Sequence, residues 1–93
     1  MTRDHASRAA AFRRLHRQDH PLVLVNPWDA GSARWIEHAG APAIAGTSAG
    51  VSWSRGRADG HGLSRAEAMD ALRSIIAAVE VPVTGEIEGG YGA

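Results

Sequence analysis

Val81-Pro-Val-Thr-Gly-Glu-Ile-Glu-Gly-Gly-Tyr-Gly-Ala93 is the stretch whose reading decides the fold of this chain. Val81 to Thr84 predicts a short buried strand that delivers two carboxylates, Glu86 and Glu88, into a glycine-rich loop. Strand side chains alternate between faces, so residues two apart point the same way. Glu86 and Glu88 are therefore expected to project together from the strand's C-terminal end. Parallel α/β proteins keep their chemistry at that end. The glycines that follow let backbone approach whatever the two acids hold.

Upstream of this strand, helix and strand signals alternate. Asp4 to Arg17 places Ala9, Phe12 and His16 (or Ala11 and Leu15) at helical spacing, with arginines between them. His20-Pro21 ends that helix, and the apolar run Leu22-Val-Leu-Val25 suits a strand covered on both faces. Asn26-Pro27-Trp28-Asp29 is turn chemistry, and Asp29 is placed to cap a helix running to Ala39. Gly40 and Pro42 end it. Ala43 to Gly46 reads as a second strand of small residues, followed by a polar loop from Thr47 to Leu63. Ser64-Arg-Ala-Glu67 is a capping box opening a helix to Val79, with Ala68, Leu72, Ile75, Ile76 and Val79 on one stripe. The order is a helix, then three strands separated by helices, which implies a parallel sheet. Two architectures fit: the opening third of a (β/α)₈ barrel, or a small open three-layer sheet.

Ninety-three residues make one domain, with no internal linker or repeat. Ten basic residues balance ten acidic ones, so no nucleic-acid or acidic-partner surface is indicated. The arginines concentrated toward the N-terminus read as the solvated face of a helix. The absence of cysteine excludes disulfides and thiolate metal sites and fits a cytoplasmic protein. No apolar run reaches the ~18 residues of a membrane span. The five histidines lack ligand spacing and read as surface or helix-end residues. Trp35 is expected in the core of its helix, and Trp28 and Trp53 in loops of the rim.

The chemistry concentrates in the segments that follow the strands. Gly46-Thr-Ser-Ala-Gly50 offers small residues, two hydroxyls and accessible backbone N–H groups, a setting for a carboxylate or phosphate oxygen. Asp59 lies in the turn-like Arg57-Ala-Asp-Gly60. Two adjacent carboxylates repel unless a cation lies between them or one is protonated. Hard oxygen ligands with room for water suit Mg²⁺, or Mn²⁺, rather than zinc. Ser-His-Asp spacing, a Walker loop and a dinucleotide fingerprint are all missing from the sequence.

Taken together, Phe12-Arg-Arg-Leu-His16, Leu22-Val-Leu-Val-Asn-Pro-Trp-Asp-Ala-Gly-Ser-Ala33, Ala45-Gly-Thr-Ser-Ala-Gly-Val51 and Val81 to Gly92 carry a family resemblance. The chain resembles the isocitrate lyase/phosphoenolpyruvate mutase family, and within it the phosphonomutase and methylisocitrate-lyase-like proteins. This implies the first three β/α units of a Mg²⁺-dependent (β/α)₈ barrel of the TIM type, preceded by an N-terminal helix. It also implies an enzyme that makes or breaks C–C or P–C bonds next to an α-keto acid through an enolate, with a small α-keto acid or phosphonate as substrate. By the resemblance, Ser48, Ala49 and Gly50 bind the substrate's carboxylate end. Glu86 and Glu88 match the acidic pair that holds Mg²⁺ directly or through water. Asp59 matches a further acid near the metal that contacts substrate in some members, which makes it the expected catalytic acid.

Departures from the family pattern accompany these matches. Position 86 is usually aspartate, so Glu86 reaches further by one methylene. Arg57-Ala58 stands where members often carry an apolar residue and proline. The later strands, the gating loop and the remaining substrate-binding residues of the family have no counterpart in residues 1–93. Two readings follow: an N-terminal portion of a lyase/mutase that is homo-oligomeric at full length, or a truncated, non-catalytic paralogue that associates with other chains. Unpaired edges on the first and third strands lead to an expectation that the isolated chain is unstable or self-associating.

Overall fold

Four side chains set where the helices begin. Asp4, Asp29, Thr47 and Ser64 each accept a hydrogen bond from the backbone N–H three residues on, which satisfies one of the amides a helix start leaves open. At Asp29 and Ser64 the third residue (Ser32 and Glu67) returns a bond to the cap's own backbone, completing two capping boxes. The computed structural model describes residues 4–92. In it α1 spans His5–Leu15, α2 Ala30–His38, β1 Ile44–Gly46, α3 Ser48–Ser54, α4 Arg65–Ala78 and β2 Val83–Gly85. Gly40, at φ +105°, supplies the left-handed residue beyond the end of α2.

β1 and β2 pair in parallel, with Ile44 opposite Val83, Ala45 opposite Thr84 and Gly46 opposite Gly85. The expected first strand, Leu22 to Val25, is reduced to a single parallel bridge between Val25 and Ile44. Its backbone contact is the Ala45 N–H donating to the Val25 carbonyl at 3.1 Å. Its faces are not both covered: Val23 is 67% exposed and Val25 40%. Prolines bracket this run at 21 and 27, and no described strand pairs with its other edge, so it is held from one side only. Three full β/α units are therefore not formed among the described residues, although the α/β character and parallel pairing are.

The expected polar loop from Thr47 also needs correction, because its first part is helical. Thr47 caps α3, and the loop proper begins after Ser54. Trp53 is thus a helix residue. Trp35 is not core: it is 75% exposed, because α2 turns Ala33 and Ile36 toward the sheet and the intervening position outward.

Two apolar clusters hold the layers together. Ala33 of α2, Ile44 of β1, Ile75 of α4 and Val79 form the larger, with Ile36, Ala78, Val81 and Val83 packed against it. This places α2 and α4 on one face of the sheet. The second cluster joins α3 to α4 through Val51, Leu63, Ala68 and Ala71, with Met69 and Tyr91 against it. The end of the molecule away from the strand C-termini is fastened by charge. The Arg8 guanidinium donates to the carbonyls of Val79 and Glu80, where a cation complements the helix end. The Glu37 carboxylate accepts the N–H groups of Glu80, at 2.6 Å, and Val81, at 3.1 Å.

Candidate active site

Both strands deliver their following residues to one rim. Ser48 opens α3 two residues after β1, and Glu86 immediately follows β2. Parallel pairing brings these ends together: the Glu86 N–H donates to the Gly46 carbonyl at 3.0 Å. The Ser48 hydroxyl then lies 2.7 and 2.9 Å from the two Glu86 carboxylate oxygens. The Glu88 backbone N–H adds a bond to Glu86 Oε2 at 2.6 Å. These donors, the Ser48 hydroxyl first, hold the Glu86 carboxyl below the usual carboxylate range.

Glu88 reaches the same rim by a different backbone path from the one alternation predicts. β2 ends at Gly85, and Glu88 sits at φ +52°, so the two acids do not extend from one straight strand. The Glu88 side chain accepts the His61 backbone N–H at Oε1, 2.9 Å away. That bond, followed by the Tyr91 hydroxyl, lowers its pKa against the opposing effects of burial and of the Glu86 charge. Its second oxygen, Oε2, is shielded from solvent and accepts no hydrogen bond among the described residues.

Tyr91 lies at the meeting point of this rim. Burial pushes its phenol up to about 12, and the negative charges of Glu88, Glu86 and Asp59 add to the effect. All three expected acids therefore lie within electrostatic reach of one ring. Among the described residues, however, no three His, Asp or Glu side chains converge closely enough to hold one metal ion. Asp59 is exposed on the loop between α3 and α4.

Ser48, Ala49 and Gly50 form the first turn of α3. The Gly50 N–H donates to the Thr47 hydroxyl at 3.4 Å. Glycine is required at 50: a Cβ there would come within 2.3 Å of the Trp28 indole. Trp28 in turn meets Trp53 edge-on, with ring centres 5.8 Å apart, and both remain about half exposed beside the rim. The Asn26 side-chain amide donates to the Ala45 carbonyl at 2.7 Å, tying the Trp28 segment to β1.

The donor set fits a hard divalent ion in kind. It comprises carboxylate oxygens, a neighbouring hydroxyl and one buried carboxylate oxygen without a partner, with no nitrogen or sulfur ligand among them. Two participants escape a reading of the sequence. The Ser48–Glu86 bond spans 38 positions and has no local signal. The role of Tyr91 is foreshadowed only by its place among glycines.

A family model described as phosphoenolpyruvate phosphomutase matches residues 12–93. The chain belongs to the phosphoenolpyruvate phosphomutase family. Two solved structures from Burkholderia cenocepacia J2315 resemble this family member closely. One, a candidate lyase/mutase, superposes with a TM-score of 0.89 at 40% identity over 94% of this chain and 31% of its own. The other, a candidate phosphonomutase, gives 0.88 at 46% identity over 94% of this chain and 35% of its own. Uncharacterized proteins of Mycobacterium tuberculosis, from strains H37Rv and CDC 1551, are each 43% identical over 81 residues, covering 87% of this chain and 31% of theirs. The chain thus spans about a third of the length of the relatives it matches. Among the described residues no helix is long and apolar enough to cross a membrane.

Proposed function

We propose that this chain forms the early rim of a Mg²⁺-dependent (β/α)₈ lyase/mutase that makes or breaks a C–C or P–C bond next to an α-keto acid. The observation that carries the reading is the convergence of Ser48, Glu86 and Glu88 at the C-terminal ends of two parallel strands. Membership of the phosphoenolpyruvate phosphomutase family supports it.

Glu86 and Glu88 would hold the ion, directly or through water, with Mn²⁺ as a substitute. The chemistry such an ion would supply is Lewis-acid charge for an oxygen beside the reacting bond. Both acids are ionised at neutral pH, as cation binding requires, and their lowered pKa extends that state to more acid conditions. Ser48, Ala49 and Gly50 orient the substrate's carboxylate with the hydroxyl and amides at the start of α3. Asp59, exposed on its loop, would contact the substrate near the ion. Trp28 and Trp53 limit water on one side of the rim. The full enzyme acts in the cytoplasm as a homo-oligomer on a small α-keto acid or phosphonate.

Calorimetric titration tests this reading, with oxalate standing in for the planar enolate of pyruvate. Oxalate is expected to release binding heat only in the presence of Mg²⁺. Equal binding with and without the ion, or none with it, would overturn the reading.

A further inference from the structure

We propose that Glu88 is a positioning residue, whose Oε1 anchors the Asp59 loop over the rim through the His61 backbone N–H. The inference rests on the functional reading above and divides the work of the two acids. Glu86 faces the Ser48 hydroxyl, whereas Glu88 reaches across 27 positions to the loop between α3 and α4.

That loop is fastened at two points, and Asp59 sits midway between them. On one side Arg57 pairs with Glu67 at 2.5 Å, and its backbone N–H donates to the Ser52 carbonyl at 2.9 Å. The Arg57 guanidinium also reaches the Gly62 carbonyl at 3.3 Å, closing the loop on itself. The closure is tight at Gly62, where a Cβ would come within 2.2 Å of the Ala58 carbonyl oxygen. On the other side the bond from His61 to Glu88 is the fastening. Asp59 is two residues from each anchor.

The backbone is strained where this second anchor forms. His61 at φ +64°, Glu88 at +52° and Tyr91 at +62° are the non-glycine residues with left-handed backbone among those described. Such conformations cost free energy and persist where surrounding contacts fix them. Tyr91 packs against the Val51, Leu63, Ala68 and Ala71 cluster, and its hydroxyl interacts with the Glu88 carboxylate. Because Oε2 takes no hydrogen bond among the described residues, holding the loop through Oε1 leaves the second Glu88 oxygen for an ion. Cation binding and the position of Asp59 are thereby linked through one side chain.

Amide hydrogen exchange measured by NMR on the metal-free chain tests the anchor. Glu88→Ala removes the acceptor, whereas Glu88→Gln keeps a carbonyl oxygen at the same reach and loses the charge. The His61 amide is expected to exchange about tenfold faster in E88A, and within about twofold of the parent in E88Q, with the Ile44 and Ile75 amides unchanged. Equal His61 exchange in E88A and the parent would overturn the proposal, as would equal acceleration in both variants. If E88A loses core protection, Glu88→Asp decides instead: its shorter side chain should free His61 while the core stays protected, and an unmoved His61 would refute the anchor. A Mg²⁺ titration separates this proposal from the functional reading. E88Q should weaken Mg²⁺ at least about tenfold while His61 stays protected. Absence of Mg²⁺ binding in the parent would defeat the metal reading, and the exchange result would still decide the anchor.

Discussion

The two ends of this small sheet are built by different rules. Around Ile44, Ile75 and Val79 the side chains are apolar and fully buried, and the segments that meet there have ordinary backbone. Around Tyr91 the chain places three left-handed non-glycine residues, two carboxylates with lowered pKa values and a buried oxygen with no partner. The first region is stabilised by removing apolar surface from water. The second carries groups whose best partners are ionic, and proteins concentrate strain and perturbed acids of this kind at functional sites. The core exists to hold the rim.

Substitution in the core should have the largest effect. Ile75→Ala removes a fully buried side chain shared by α4 and the sheet, and should cost about 2–5 kcal/mol in urea-monitored unfolding. At the rim, Gly50→Ala forces a methyl group into the Trp28 indole. The expected cost is about 1–3 kcal/mol, with a shift in tryptophan emission as the ring moves. An Ile75 effect smaller than the Gly50 effect would invert the comparison.

Acid should dissolve the rim before the clamp beside it. Glu86 and Glu88 have folded-state pKa values below the 4.5 of a free glutamate, so their contribution is complete above that pH. It is lost as pH falls through their folded values. Glu67 is held lower still, at about 2, chiefly by Arg57. The His61–Glu88 contact should therefore persist at pH 4.5 and fail below it, while Arg57–Glu67 survives to about pH 2. Proton-resolved NMR of the three glutamates reports the order directly, and simultaneous titration would contradict it. The smallest effect is expected from His61→Gly. It relieves a left-handed residue while keeping the anchoring N–H, and should stabilise by about 0.5–1 kcal/mol in the same urea assay.

Features governed by neighbours in sequence were legible in advance. Asp29 and Ser64 announce their helices, because a cap is satisfied three residues away. The apolar stripe of α4 likewise foretells its buried face. The run Leu22 to Val25 falls short of the strand its apolar character predicts: a strand needs partners, and here one edge lacks any among the described residues. Trp35, expected in the core, faces outward because of its phase on α2. Ala33 and Ile36 define the inward face of α2, and position 35 points away from it. α3 carries little signal in the sequence, because Ser48 to Ser54 is short and rich in serine and the Thr47 cap is its main mark. Strand alternation draws attention to Glu86 and Glu88 but does not give their arrangement, because Glu88 takes its place through left-handed backbone and a bond to a loop 27 residues away.

The divalent-cation site proposed at Glu86 and Glu88 has a spectroscopic signature. Paramagnetic broadening by substoichiometric Mn²⁺ in ¹⁵N-resolved NMR spectra tests it most directly. The amide signals of Ser48, Glu86, Glu88 and Tyr91 are expected to broaden first, while those of Ala33, Ile75 and Val79 stay sharp, and excess Mg²⁺ should reverse the effect. Broadening centred on the histidines of α1 or α2, or none at the rim, would contradict it.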